Sequence, residues 1–283
     1  MSLVLITGAT DGIGRAAALR LAAAGHDVIL HGRNPEKLEA ARQAVAAEAT
    51  GSVAAELADL ADLQQVAGLA AKVGKDYPGL NVLVNNAGLL TDHRQESTDG
   101  FELTFAVNYL APFLLTNLLL ETLQANAPAR VVNVASSAMG GAELNFEDLQ
   151  FESAFEGWQA YANSKLANVL FSNLLAEKLE GTGVVSNSCC PGLIDTNFFH
   201  TNTLFAGGAY ERMKTHMRQP EQGADIPVYM ADSAETAAAS GKFYLRRPDL
   251  GLGDEVRSMP LNWSREDAAM LWGMSESLAG EWL

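Results

Sequence analysis

Residues 3–7 form a short apolar, β-rich run that ends in Gly8-Ala9-Thr10-Asp11-Gly12-Ile13-Gly14, and residues 16–24 beyond it are rich in alanine and leucine, with Gly25 as a stop. A strand that turns through three glycines straight into a helix leaves few architectures open. The helix packs back on its strand, and the next strand then runs parallel to the first. The rest of the chain repeats this unit. Apolar strands are expected at 27–31, 52–57, 82–84, 130–134 and 183–190, with helices at 35–48, 62–76, 101–126 and 158–179 between them. Pro78-Gly79 and Pro191-Gly192 close elements, and residues 142–157 form a loop insertion. After Pro191 the pattern loosens. Residues 220–231 look helical, 241–245 could add a seventh strand, and Ser264-Arg265-Glu266-Asp267 opens a last helix towards Leu278.

Short apolar strands separated by helices require a parallel sheet covered on both faces. The expectation is therefore α/β: a single doubly wound Rossmann-type domain over residues 1–283, its parallel seven-stranded sheet carrying helices on both faces, with ligands beyond the carboxyl ends of the strands. Net charge narrows the partners. With 19 basic against 34 acidic residues the sum is −15, which disfavours nucleic acid and means that an anionic cofactor needs a local positive site. Cys189 and Cys190, the only cysteines, are adjacent in an apolar run and read as buried free thiols suited to a reducing cytoplasm. No charged leader and no apolar run long enough for a bilayer is evident, so a soluble, cytoplasmic protein without a membrane span is expected. His93, His200 and His216 are scattered without ligand spacing, so no metal is expected.

The glycine loop at the first strand–helix junction suits a pyrophosphate, because backbone N–H groups and the helix dipole both favour negative charge there. At the end of the second strand stands His31-Gly32-Arg33-Asn34. An arginine and no acid at that corner suits a 2′-phosphate, which favours NADP(H) over NAD(H). Asp59 after the third strand could cap the next helix or accept from an adenine amine. Tyr161 and Lys165 lie four residues apart in a helical segment and so share a face. An ammonium beside a phenol is expected to lower the phenol's pKa, which makes a general acid/base; a plain surface pair is the alternative.

Together, Thr7-Gly8-x-x-x-Gly12-x-Gly14, Asn85-Asn86-Ala87-Gly88, Asn108, Ser137, Tyr161-x-x-x-Lys165 and Pro191-Gly192 resemble the short-chain dehydrogenase/reductase family. Asn145-Phe146-Glu147-Asp148-Leu149, Ser164-Lys165-Leu166-Ala167-Asn168 and Leu271-Trp272-x-x-Ser275-Glu276 resemble its retinol-dehydrogenase and protochlorophyllide-reductase-like branch. The resemblance implies that Tyr161 passes the proton, Lys165 holds the nicotinamide ribose, Ser137 polarises the carbonyl and Asn108 fixes a water in a proton relay. It also implies cofactor contacts from Gly8, Thr10, Gly12, Ile13, Gly14, Arg33, Asp59, Leu60, Asn85, Ala87, Gly88, Tyr161, Lys165, Pro191, Gly192, Ile194 and Thr196. Two features depart from the family pattern. Ser137 and Tyr161 are 24 residues apart, which the insertion at 142–157 explains, and Asp11 stands where many NADP-using relatives carry a basic residue, for which Arg15 could compensate.

Residues 193–218 hold Phe198, Phe199, Leu204, Phe205, Tyr210, Met213 and Met217, broken by Gly207-Gly208. Such a segment is either a substrate lid or packing on the sheet edge. As a lid, with Leu90, Met139 and Trp158 on the same pocket, it implies a small hydrophobic carbonyl or alcohol substrate. The expected activity is hydride transfer between NADP(H) and that substrate. A nucleotide-sensing protein without catalysis and an NADPH-dependent double-bond reductase are the alternatives, and a homo-oligomer is open.

Overall fold

The central strand β1 (Leu3–Ile6) lies between β2 (Asp27–Gly32) and β4 (Val82–Asn85), parallel to both, with Val4, Leu5 and Ile6 fully buried. In the computed structural model, which describes residues 1–200, 202–206, 208–246, 255–259 and 261–283, the strand order is β3-β2-β1-β4-β5-β6-β7-β8. Here β3 is Val53–Leu57, β5 Ala129–Val134, β6 Val184–Cys189, β7 Phe243–Leu245 and β8 Arg257–Met259. The first seven are parallel. β8 pairs antiparallel with β7, so the sheet has eight strands rather than seven. Its Arg257-Ser258-Met259 is mostly exposed and carries no apolar run, so nothing in the local pattern marks it as a strand.

Several helix starts are set by a side chain that takes an orphan N–H. Asp11 caps α1 (Gly12–Ala23), Asn34 caps α2 (Pro35–Ala46) and Asp62 caps α3 (Leu63–Asp76). Asp59 is therefore not the cap of the third helix; its carboxylate accepts the Ala61 N–H at 3.0 Å. α4 (Leu103–Ala125) contains a π turn at Ala106–Leu110, just ahead of Pro112. Proline offers no N–H to the carbonyl of Asn108 and crowds it, and a wider turn there relieves that conflict. α5 (Gly157–Lys178) carries Tyr161 and Lys165, α6 is Asp225–Asp232, and α7 (Arg265–Ala279) is capped by Ser264.

The helices divide between the two faces. α1, α2 and α6 pack on one, while α3, α4, α5 and α7 cover the other. On that second face Tyr109, Phe113, Phe171 and Trp272 meet edge-on or stacked, with Phe113 and Trp272 ring centroids 5.1 Å apart, and the Tyr109 and Ser275 hydroxyls are 2.7 Å apart. Contrary to the expectation that no apolar run is long enough for a bilayer, α4 is, by length and composition. Its apolar window is 78% buried inside the fold, the environment of a core helix. Strand order reverses between β1 and β4, which opens a crevice at their carboxyl ends.

Candidate active site

Glu156 accepts the N–H groups of Trp158 and Gln159 and so starts α5 against the carboxyl edge of the sheet. Two turns in, Lys165 is 4% exposed and its Nζ donates to the carbonyl of Val134, at the end of β5, at 3.0 Å. Nζ is 5.6 Å from the centroid of the Tyr161 ring. Asn108, on the π turn, ties this helix to the loop after β4. It donates to Leu89 O at 2.9 Å and Ser164 Oγ at 3.0 Å and accepts from Leu89 N at 2.8 Å, while Ser164 Oγ donates to the carbonyl of Tyr161 at 2.7 Å. Both amide donors of Asn108 are thus spent on protein partners, which makes its side chain a brace.

Of the two serines, Ser136 and not Ser137 is the one that interacts with the Tyr161 phenol, in the direction that favours its ionised form. Ser136 is the last extended residue before the 3₁₀ turn Ser137–Gly141, whereas the Ser137 N–H is directed to Cys190 Sγ at 3.2 Å. The expected electrostatics also reverse. Burial pushes the Tyr161 phenol above its ordinary value and brings Lys165 down to about 8. An ammonium that loses its proton near pH 8 is no longer charged where a phenol ionises, so it cannot draw the phenol down.

Tyr161 and Lys165 lie on the wall of a cavity of about 550 Å³ that runs to the glycine loop. Every residue expected at a dinucleotide lines it except Asn85. The side chain of Asn85 turns into the sheet, donating to Thr116 Oγ1 and Asn133 Oδ1, both at 3.0 Å. Asn86 takes the place by the loop, its Nδ2 donating to Thr7 O at 2.8 Å and Gly8 O at 3.2 Å. His31 and Gly32 also line the cavity and were missed as site residues, and both Ser136 and Ser137 are on its wall. The loop is closed tightly enough to require glycine. A Cβ on Gly14 would meet Gly8 O at 2.3 Å, and one on Gly8, whose φ is +64°, would meet Ala87 Cα at 2.9 Å. A backbone cradle that admits no side chain, ahead of the α1 N-terminus, fits a pyrophosphate. Asp11 does not face that cradle as a free charge: it caps α1 and bonds Asn197. Arg15 is absent from the cavity wall.

The family model of the short chain dehydrogenases matches residues 2–205, which include the glycine loop, Asn108, Ser136, Tyr161 and Lys165. The chain belongs to the short chain dehydrogenase family. Among curated relatives, this short chain dehydrogenase is 38% identical to retinol dehydrogenase 13 of Mus musculus over 98% of this chain and 83% of that protein. It is 36% identical to retinol dehydrogenase 14 of Homo sapiens, with 98% and 86% covered. The structure is similar to that of an uncharacterised Mycobacterium paratuberculosis protein, with TM-score 0.78, 31% identity and 99% and 94% covered. It is also similar to the Pseudomonas aeruginosa RhlG/NADP active-site complex, with TM-score 0.70, 27% identity and 86% and 93% covered.

In this short chain dehydrogenase the segment 193–218 leaves the sheet after β6 and returns through a bridge, with Asp195 N donating to Arg218 O at 2.8 Å and Arg218 N to Leu193 O at 2.9 Å. Between them lie the helical turns Asn197–His200, Thr203–Phe205 and Ala209–Lys214; Gly207 is outside the described residues. Phe198, Phe199 and Met213 form cavity wall, the Phe198 ring 5.1 Å from that of Tyr161, and Trp158 sits on the other side of Tyr161 at 5.6 Å. Leu90 and Met139 are not on the wall. Leu90 is buried with its carbonyl accepting from Asn202, and Met139 packs beside Ala135 and Phe243. Among the described residues, no group of three His, Cys, Asp or Glu is placed to hold a metal ion.

Proposed function

We propose that this short chain dehydrogenase is an NADP(H)-dependent oxidoreductase that interconverts an apolar carbonyl compound and its alcohol, with Tyr161 as the general acid/base. The observation that carries the reading is the placement of Tyr161, Ser136 and Lys165 together on the wall of the cavity that ends at the glycine loop. A bound nicotinamide dinucleotide supplies or accepts the hydride. The α1 N-terminus would hold its pyrophosphate and Arg33, exposed at the end of β2, its 2′-phosphate. Charge develops on the substrate oxygen as the carbonyl is reduced. Ser136 and Tyr161 are two hydroxyl donors at one place for that oxygen, and Tyr161, held as the neutral phenol, has the proton ready. Lys165 spends one of its three donors on Val134 and keeps the others for the ribose end of the cofactor.

Phe198, Phe199 and Trp158 make the substrate end apolar. Support for the substrate class also comes from the relatives, which are named for retinol, an apolar alcohol. Support for the phosphorylated cofactor comes from Arg33 and from the NADP in the Pseudomonas complex. The test is oxidation of NADPH, with NADH as control, against a panel of lipophilic aldehydes and ketones; NADPH binding without turnover on any of them overturns the catalytic reading. Arg33→Ala is expected to raise KM for NADPH roughly tenfold, the loss of one charge-assisted contact, and to leave KM for NADH little changed. Equal losses for both cofactors would remove Arg33 from 2′-phosphate recognition.

A further inference from the structure

We infer that His31 is a positioning residue for the dinucleotide, holding the glycine turn in its receiving shape through the N–H of Gly8. The inference rests on the reading that the cofactor lies on that turn. Three successive amides leave β1 at this point. Thr7 N continues the ladder to Val84 O at 3.0 Å and Ala9 N reaches His31 O at 2.9 Å, so both have backbone acceptors. Gly8, in the left-handed region at φ +64°, points its N–H between them, and its acceptor is the Nδ1 of His31 at 3.3 Å. His31 thus holds two consecutive amides of the turn, one with its carbonyl and one with its ring.

The other ring nitrogen, Nε2, is 3.1 Å from the carbonyl of Ala58, whose own N–H returns to Gly32 O at 3.2 Å. A carbonyl only accepts, so Nε2 carries the proton and Nδ1 is the bare acceptor that Gly8 needs. The geometry admits one tautomer of the neutral ring. His31 is 2% exposed yet borders the cavity, and burial holds its pKa down to about 4, so this tautomer persists through the neutral range. The ring is therefore a strut between the glycine turn on β1 and the end of β3, directly behind the corner where Arg33 stands. An apolar residue of similar size would fill the space but leave the partly buried Gly8 N–H without its acceptor, and the turn would lose the bond that fixes its shape.

Asparagine and glutamine separate the two bonds. Asparagine places an amide oxygen where Nδ1 stands and so preserves the acceptor for Gly8; glutamine places its amide at the Nε2 position and preserves only the donor to Ala58. NADPH binding to purified His31→Leu, His31→Asn and His31→Gln, titrated by protein fluorescence in the absence of substrate, reads the effect directly. His31→Leu and His31→Gln are expected to raise the NADPH Kd roughly tenfold, and His31→Asn to recover most of that loss. With an accepted substrate the change falls on KM for NADPH rather than on kcat. Equal affinity in all three variants and the parent protein overturns the inference, as does a loss in His31→Asn as large as in His31→Gln, because either makes His31 a packing residue. Should His31→Leu fail to fold, the asparagine and glutamine pair still decides. A parent protein that binds neither NADPH nor NADH would instead sink the cofactor reading beneath it.

Discussion

Tyr161→Phe is expected to lower turnover by roughly 10²- to 10⁴-fold, the usual worth of a positioned proton donor, while NADPH affinity stays within a few-fold of the parent. The substitution removes one oxygen and keeps the ring. Trp158 and Phe198 flank that ring with centroids 5.6 and 5.1 Å away, and neither contact uses the hydroxyl. Ser136, Lys165 and the glycine loop are untouched, so cofactor binding and substrate shape persist while the proton source is lost. Single-turnover oxidation of bound NADPH separates the two quantities. A Phe variant that turns over at the parent rate would take the acid/base role away from residue 161. The pH profile adds an independent check. Lys165 is charged below about pH 8 and neutral above it, whereas the phenol is displaced upward by burial. If the ammonium orients the ribose, kcat/KM falls as pH rises through about 8, and no limb from the tyrosine appears before it. A flat profile through pH 9 would show that the charge on Lys165 is not needed.

Gly14→Ala is expected to abolish measurable dinucleotide binding, raising Kd by at least about 100-fold, and to lower stability by about 1–3 kcal/mol through overpacking. The added Cβ would sit 2.3 Å from Gly8 O and 2.5 Å from Asn86 Nδ2. Those two atoms are bonded to each other at 3.2 Å, and Asn86 is also bonded to Thr7, so neither can retreat without opening the turn. The damage therefore appears at the pyrophosphate cradle before it appears in the sheet. Thermal unfolding with and without NADPH measures both terms: the variant should lose the ligand-induced rise in Tm as well as some Tm. A variant that keeps the full NADPH shift would mean that the loop tolerates a side chain and is not the cradle.

Much of the fold was legible in the sequence because short-range rules govern it. The alternation of apolar strands with helices, the start of the last helix at Ser264, and the one-turn spacing of Tyr161 and Lys165 depend on neighbours a few residues away. The glycine spacing belongs with them, since a turn between a strand and a helix places its own steric demand on each residue.

Other features were set only by what the folded chain places around a residue. Whether Asn85 or Asn86 meets the loop depends on which side of the sheet a side chain leaves, and a shift of one residue exchanges the answer, while the turn that begins at Ser137 sets which serine meets the tyrosine. The upward displacement of the Tyr161 phenol follows from burial by partners distant in the chain. A 23-residue apolar helix became a core element because a sheet and α5 cover it, and His31 acquired a place because Gly8 and Ala58 converge on its two nitrogens. Local sequence determined which elements form and which groups are available; burial and strand-end parity, which exist only after the sheet closes, decided where those groups point and how readily they ionise.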